Sequence, residues 1–265
     1  GTSNLALVEA DFSVREKLSN ARRLLREYRE AECVPPGKDT KICTAWNSML
    51  IRALADAGFY FNRPEWLERA RKAADFIWDS LIIEEAESIQ IKSVFYENAG
   101  ARVDAFLHEY ALVADAFLAL GSKIDWIDPG ASVLYYNRSK ICLDQALKDF
   151  SDPHSIGYYF TTDRTASPVA RRKEWFDNAT PSGNSVMLHA LSGIYALEGD
   201  TRYAEELAKA FPAYIYYARK VASGVAHALE AATVYKFGIT VIKVGEKADL
   251  KGLRKACLLY TSDAA

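Results

Sequence analysis

Side chains able to bind polar ligands or move protons gather at three places in this 265-residue chain. The first group is Asp39, Lys41, Trp46 and Asn47. The second is Asp104, His108, Glu109 and Tyr110, and the third is Asp177, Asn178, Ser182, Asn184 and Ser185. Carboxylates, amides and hydroxyls make the directional hydrogen bonds that sugar hydroxyls need, and aromatic faces cover the apolar sides of a sugar ring. The inventory therefore points to a carbohydrate ligand. An epimerase or isomerase needs a base beside a carbonyl and an acid to return the proton, with His108, Glu109 and His189 as candidates. A glycoside hydrolase needs two carboxylates across a pocket, for which Glu109 and Asp177 are the pair to test. Asp104 and His108, four apart on a predicted helix, could be a carboxylate orienting an imidazole.

Each of these residues also has a plain structural reading. Ser182 and Thr44 are good helix caps. Trp46 reads as a core residue of its helix, and Asp104 and His108 as a solvated pair. His189 and His227 lie within charge-poor helices, where a histidine is most often a satisfied core residue. Arg171, Arg172 and Lys173 read as a solvated loop, and Tyr158 and Tyr159 as packing.

The elements that must position these groups are helices of two kinds. From Ser182 to Leu197 there is no charged residue, and the apolar side chains fall all round the wheel, as in a helix surrounded by protein. Pro181 and Ser182 open it, and Gly199 with Asp200 closes it. The helix from Thr44 and the one from Gly224 to Phe237 are also poor in charge. Between them lie amphipathic helices after Pro64, from about Pro129 to Phe150, and from Thr201 to about Lys220. A further helix is predicted from about Arg102 to Leu120 with one apolar face, and Ser13 with Glu16 forms a capping box for a charged helix reaching about Ala31. Ile89–Phe95 and Gly157–Thr162 read as extended.

Alternating inner and outer helices joined by short turns predict an all-α fold, an incomplete α/α toroid of helical hairpins spanning residues 1–237. The three polar groups then enter inner helices at one end of the axis. Ile239–Val244 and Lys247–Ala256 suggest the start of a small α/β element over 238–256. Residues 257–265 resemble a translated sequencing adapter and are set aside from fold reasoning.

Composition excludes several function classes. Thirty-three basic against thirty-five acidic residues give a net charge of −2, which argues against nucleic-acid or anionic-membrane binding. Cys33, Cys43, Cys142 and Cys257 form no metal-ligand pattern and suggest reduced thiols in a cytoplasmic protein. No cofactor motif and no membrane span is found.

Three stretches together resemble a known family. Asp39-Thr40-Lys41 followed by Thr44-Ala45-Trp46-Asn47, then Ala105 to Ala111, then Asp177 to Ser185 are similar to signature segments of the thioredoxin-domain-containing proteins related to spermatogenesis-associated protein 20. The likeness runs from about Leu5 to Ala256. It implies an (α/α)6 toroid similar to N-acylglucosamine 2-epimerase and six-hairpin glycosidases, and a thioredoxin-like domain as an intramolecular partner that this chain lacks. The alternative reading is of another class, a non-catalytic helical scaffold that binds a ligand or docks the thioredoxin-like domain onto partners. Ser48 stands where the family usually has glycine, and His108-Glu109 where it usually has Glu-Asp.

Overall fold

A computed structural model describes residues 12–164, 170–239 and 252. The chain divides into two units, residues 1–40 and 41–265. The first contains α1 (Phe12–Glu32), a charged helix with an Arg23–Glu27 pair at 2.8 Å one turn apart. Leu24, Leu25 and Tyr28 are exposed on it.

The second unit is a double layer of helices with a small antiparallel sheet. After β1 (Ile42–Cys43) come α2 (Thr44–Tyr60) and α3 (Pro64–Leu81), then β2 (Ile82–Glu85), β3 (Ser88–Tyr96) and β4 (Gly100–Asp104). Then follow α4 (Leu107–Ile124), α5 (Ser132–Phe150), α6 (Gly183–Glu198), α7 (Thr201–Ala218), a short 3-10 turn (Ala222–Val225) and α8 (Ala226–Phe237). The even-numbered helices α2, α4, α6 and α8 pack side by side as an inner layer. Each of α3, α5 and α7 folds back on the inner helix before it. This is the inner-and-outer hairpin pattern of an α/α toroid, and it follows from the charge pattern, since only outer helices have a face for water.

The starts and stops obey local chemistry. Ser182 caps α6 by accepting the Ser185 N–H at 3.1 Å, and Gly199, at φ +73°, ends it in the left-handed region. Pro64 takes the first turn of α3, although Arg63 rather than Asn62 precedes it; Asn62 makes the left-handed turn at φ +54°. Asp200 caps α7 through the Arg202 N–H at 2.9 Å.

Four expectations need correction. The helix predicted from Arg102 begins at Leu107, because Gly100, at φ +70°, turns the chain back and residues 100–104 pair with β3. β3 itself alternates, burying Ile89, Ile91 and Ser93. Nor does α4 bury a single face: every residue from Glu109 to Gly121 is buried, so it is the central inner helix. Of the basic run only Arg172 stays solvated. Arg171 donates to the carbonyls of Thr161 (2.6 Å) and Asp149 (3.0 Å) and stacks over Tyr159, while Lys173 pairs with Asp152 at 2.7 Å. This clamp fastens the segment around Tyr158, which makes one isolated bridge to Ser151 in place of the extended piece expected from Gly157.

Cys33, Cys43 and Cys142 are free thiols. The proposed α/β element lies outside the described residues apart from Gly238, Ile239 and Gly252, as does the 257–265 tail.

Candidate functional site

Inner helices that run side by side bring their N-terminal ends together pairwise. Thr44 Oγ1 at the start of α2 donates to the Lys92 carbonyl at 2.5 Å, so it ties helix to sheet and is not a cap. Ser93 on the same strand donates to Glu109 at the start of α4 at 2.7 Å. Asp177 joins the next two starts: Oδ1 accepts the Ser182 N–H at 2.9 Å and Oδ2 the His227 N–H at 3.0 Å. The starts of α2, α4, α6 and α8 thus follow one another along the layer.

Farther into the same layer a polar network crosses all four inner helices. Arg52 on α2 donates to Asp115 on α4 at 2.5 Å, and the same Oδ1 lies 2.7 Å from His189 Nδ1 on α6. His189 Nε2 faces Glu230 on α8 at 3.6 Å, and Glu230 Oε2 lies 3.4 Å from His227 Nδ1. The two imidazoles stack with ring centres 4.8 Å apart. Arg52 also comes within 3.3 Å of His189 Nδ1. That contact is no hydrogen bond, because the shorter Asp115 contact requires Nδ1 to carry the proton, and two donors cannot bond each other.

The electrostatics follow from this geometry. Burial alone would lower the His189 pKa, but hydrogen bonds to Asp115 and Glu230 and the Asp115 charge outweigh it and raise the value to about 9. His189 is therefore an imidazolium at neutral pH. Burial would raise Asp115, yet His189 and Arg52 bring it down to about 2. The hydrogen bonds from His189 and His227 hold Glu230 well below the usual carboxylate range. Glu230 is an acceptor, so His227 Nδ1 carries the proton that faces it. His227 Nε2 is buried and has no hydrogen-bond partner.

His227 and Glu230 line a cavity of about 350 Å³ with Asp177, Asn178, Thr180 and Ser223. The third polar group therefore does border this site, through Asp177 and Asn178. The other expected residues go elsewhere. Glu109 is a cap and not a free carboxylate: Oε2 accepts the Phe106 N–H at 2.8 Å and Oε1 the Ser93 hydroxyl. Asp104 lies on β4, paired with Lys92 at 2.6 Å, so the expected Asp104–His108 dyad does not form. His108 Nε2 instead faces Glu109 at 3.3 Å, and its ring stacks on Phe160. Tyr110 is a core residue whose hydroxyl accepts the Ile91 N–H at 3.0 Å. Asn184 clasps the Tyr158 backbone on both sides, at 2.7 and 2.9 Å, and Ser185 pairs with Ser182 at 2.9 Å. Asn47 bonds the Cys43 carbonyl at 2.9 Å. Asp39, in the first unit, and Lys41, in the second, are exposed. Trp46, expected in the core, is 65% exposed.

Sequence reasoning missed Arg52, Asp115 and Glu230 and placed His227 in the core. A usable signal existed. Asp115 is a single charge within an otherwise uncharged inner-helix segment, and a charge there needs a partner across the layer. Among the described residues no group of three or more His, Cys, Asp or Glu side chains is arranged to hold a metal ion, and no helix is long and apolar enough to cross a membrane.

No family model matches the chain. The sequence is similar to that of spermatogenesis-associated protein 20. The rat protein is 26% identical over 174 residues, covering 61% of this chain and 20% of the relative. The mouse protein is 25% identical over 172 residues with the same coverage. This chain thus spans about a fifth of the length of the spermatogenesis-associated protein 20 sequences it matches. Among solved structures, a sugar epimerase from a ruminal bacterium superposes at TM-score 0.50 with 13% identity, over 66% of this chain and 43% of the epimerase. A family 105 glycoside hydrolase from C. acetobutylicum superposes at TM-score 0.50 with 14% identity, over 74% and 58%. These likenesses show an α/α-toroid fold shared with carbohydrate-active proteins.

Proposed function

We propose that this chain carries a sugar site that transfers a proton next to a carbonyl, in the manner of an epimerase or isomerase. One observation carries the reading: the stacked His189–His227 pair, with Glu230 against both rings and His227 and Glu230 lining the cavity. Glu230 orients His227 as base, and His189 serves as acid. The polar lip of Asn178, Thr180 and Ser223 suits sugar hydroxyls, and the sugar epimerase fold is consistent with this use. A hydrolase built on Glu109 and Asp177 has less support, since each carboxylate already accepts two hydrogen bonds from the protein.

The test is proton NMR of aldoses, ketoses and N-acetylhexosamines in D2O with the 265-residue chain and its His227→Gln variant. Deuterium entering beside the carbonyl, and lost in the variant, supports the reading. A second reading, a helical scaffold that binds a partner such as a thioredoxin-like domain, is favoured by the exposed Trp46, Leu50 and Tyr60 on α2. Silence across the panel with folded protein would select it.

A further inference from the structure

We propose that the exposed face of α1 docks an acidic amphipathic helix of a partner protein. The inference is independent of the sugar site, since α1 belongs to the first unit and the cavity to the second.

The sequence of α1 builds a narrow seam. Val14, Leu18, Ala21, Leu25 and Tyr28 are spaced four, three, four and three apart, the 3.5-residue repeat by which one helix packs along another. All five are exposed, Leu25 at 69% and Tyr28 at 65%, and Leu24 widens the seam on one side. A helix of this length draws most of its stability from packing such a face, so an open seam implies a partner.

The charges beside the seam decide what that partner is. Arg15, Arg22 and Arg29 recur every seven residues along one flank, with Arg26 next to them, and Lys17 stands on the other flank. Glu16, Glu27 and Glu30 fall on the face turned away from the seam, where Glu27 pairs with Arg23 at 2.8 Å. Among the described residues Arg22 and Arg29 form no ion pair. A second copy of the chain does not fit. Parallel pairing sets Lys17 against the other copy's Arg22, and antiparallel pairing sets the arginine flank against itself, so like charges meet either way. A helix lying on a lipid surface carries Lys and Arg over its polar face, whereas the back of α1 carries Glu16, Glu27 and Glu30. A partner helix with an apolar stripe edged by carboxylates meets both features: its apolar side chains fill the seam and its carboxylates face Arg22 and Arg29.

The test titrates the 265-residue chain into two labelled synthetic helices about three heptads long, one with leucine on the seam and glutamate beside it, the other with lysine in place of glutamate. By fluorescence anisotropy in about 0.1 M salt the acidic helix is expected to bind about tenfold or more tighter than the basic one, and to weaken as salt rises. Leu18→Asp with Leu25→Asp is expected to weaken that binding by about a hundredfold, and Arg22→Glu with Arg29→Glu to reverse the preference between the two helices. All four side chains are exposed, so circular dichroism should show an unchanged fold, and the comparison of the two helices on the unaltered chain does not depend on any variant. Equal binding of both helices, or none at about 0.1 mM, overturns the proposal. Self-association of the chain that Leu25→Asp abolishes assigns the face to a second copy, and tighter binding to vesicles of anionic phospholipid than to the acidic helix assigns it to a membrane. Either result also overturns the proposal.

Discussion

Asp115 on α4 and His189 on α6 share a 2.7 Å contact inside the inner layer, with Arg52 of α2 donating to the same carboxylate oxygen. One acidic oxygen thereby holds two cations from the helices on either side. Replacing Asp115 with alanine takes the nearest counter-charge from the nearly buried His189, while Arg52, which is partly exposed, keeps Asp56 and Glu230 within 4 Å. Loss of one member of a buried pair costs about 3–5 kcal/mol. Urea unfolding should show a fall of that order, and NMR titration should show the His189 pKa dropping, because burial then acts with less opposition. An unchanged His189 titration would refute the pairing.

The same contact sets a stability profile with pH. The His189 pKa is raised from 6.5 to about 9, so its contribution is complete below 6.5 and is lost as pH rises through 9. The Asp115 pKa is lowered from 3.8 to about 2, so its contribution is complete above 3.8 and is lost as pH falls through 2. Thermal unfolding should therefore show a decline between pH 6.5 and 9 that His189→Gln removes. If the variant declines equally over that range, His189 is not the group responsible.

Asp177 should behave as a positioning residue. Asp177→Ala leaves two backbone donors unpaired, at the starts of α6 and α8. A lost cap costs about 0.5–2 kcal/mol, so a combined loss of about 2 kcal/mol is expected, with a shift of the His227 amide resonance. Asp177→Asn keeps one good acceptor and should fall between the two. A stability indistinguishable from the parent would remove Asp177 from this role.

Glu109, by contrast, should matter to folding and not to chemistry. Glu109→Ala leaves the Phe106 N–H and the Ser93 hydroxyl without their acceptor, a loss of about 1–3 kcal/mol. Proton exchange from a sugar should persist in whatever fraction remains folded. Exchange abolished at undiminished stability would restore Glu109 as a catalytic candidate.

Tight contact should show at Gly157, which sits at φ +78° in the segment clasped by Asn184. A Cβ there would lie 2.5 Å from the Trp175 ring and 2.9 Å from Asn184 Oδ1. Gly157→Ala should destabilise by about 1–3 kcal/mol, read as a lower thermal midpoint. A neutral substitution would mean that the loop relaxes.

The chain by itself determined which helices are inner and which are outer. Residues 182–197 carry no charge while the helices around them alternate charged and apolar faces, and local composition decides whether a helix can meet water. It also determined the caps of α6 and α7, because Ser182, Gly199 and Asp200 act within one turn of where they stand. It did not reveal that residues 100–104 form a strand: the hairpin with β3 is local, but Val103 also fits the helical apolar pattern of Phe106, Leu107 and Tyr110 that runs on into α4. A different limit hid the site. Arg52, Asp115, His189 and Glu230 come from four helices, and no local spacing links residues whose proximity arises only when the helices lie side by side. Conversely, Glu109, Asn184 and Asp177 looked chemical by type, yet the tertiary structure supplied each with a hydrogen-bond partner from another segment. Residue type fixes what a side chain is able to do. Which of those capacities remains unfilled is decided by the neighbours that packing brings to it.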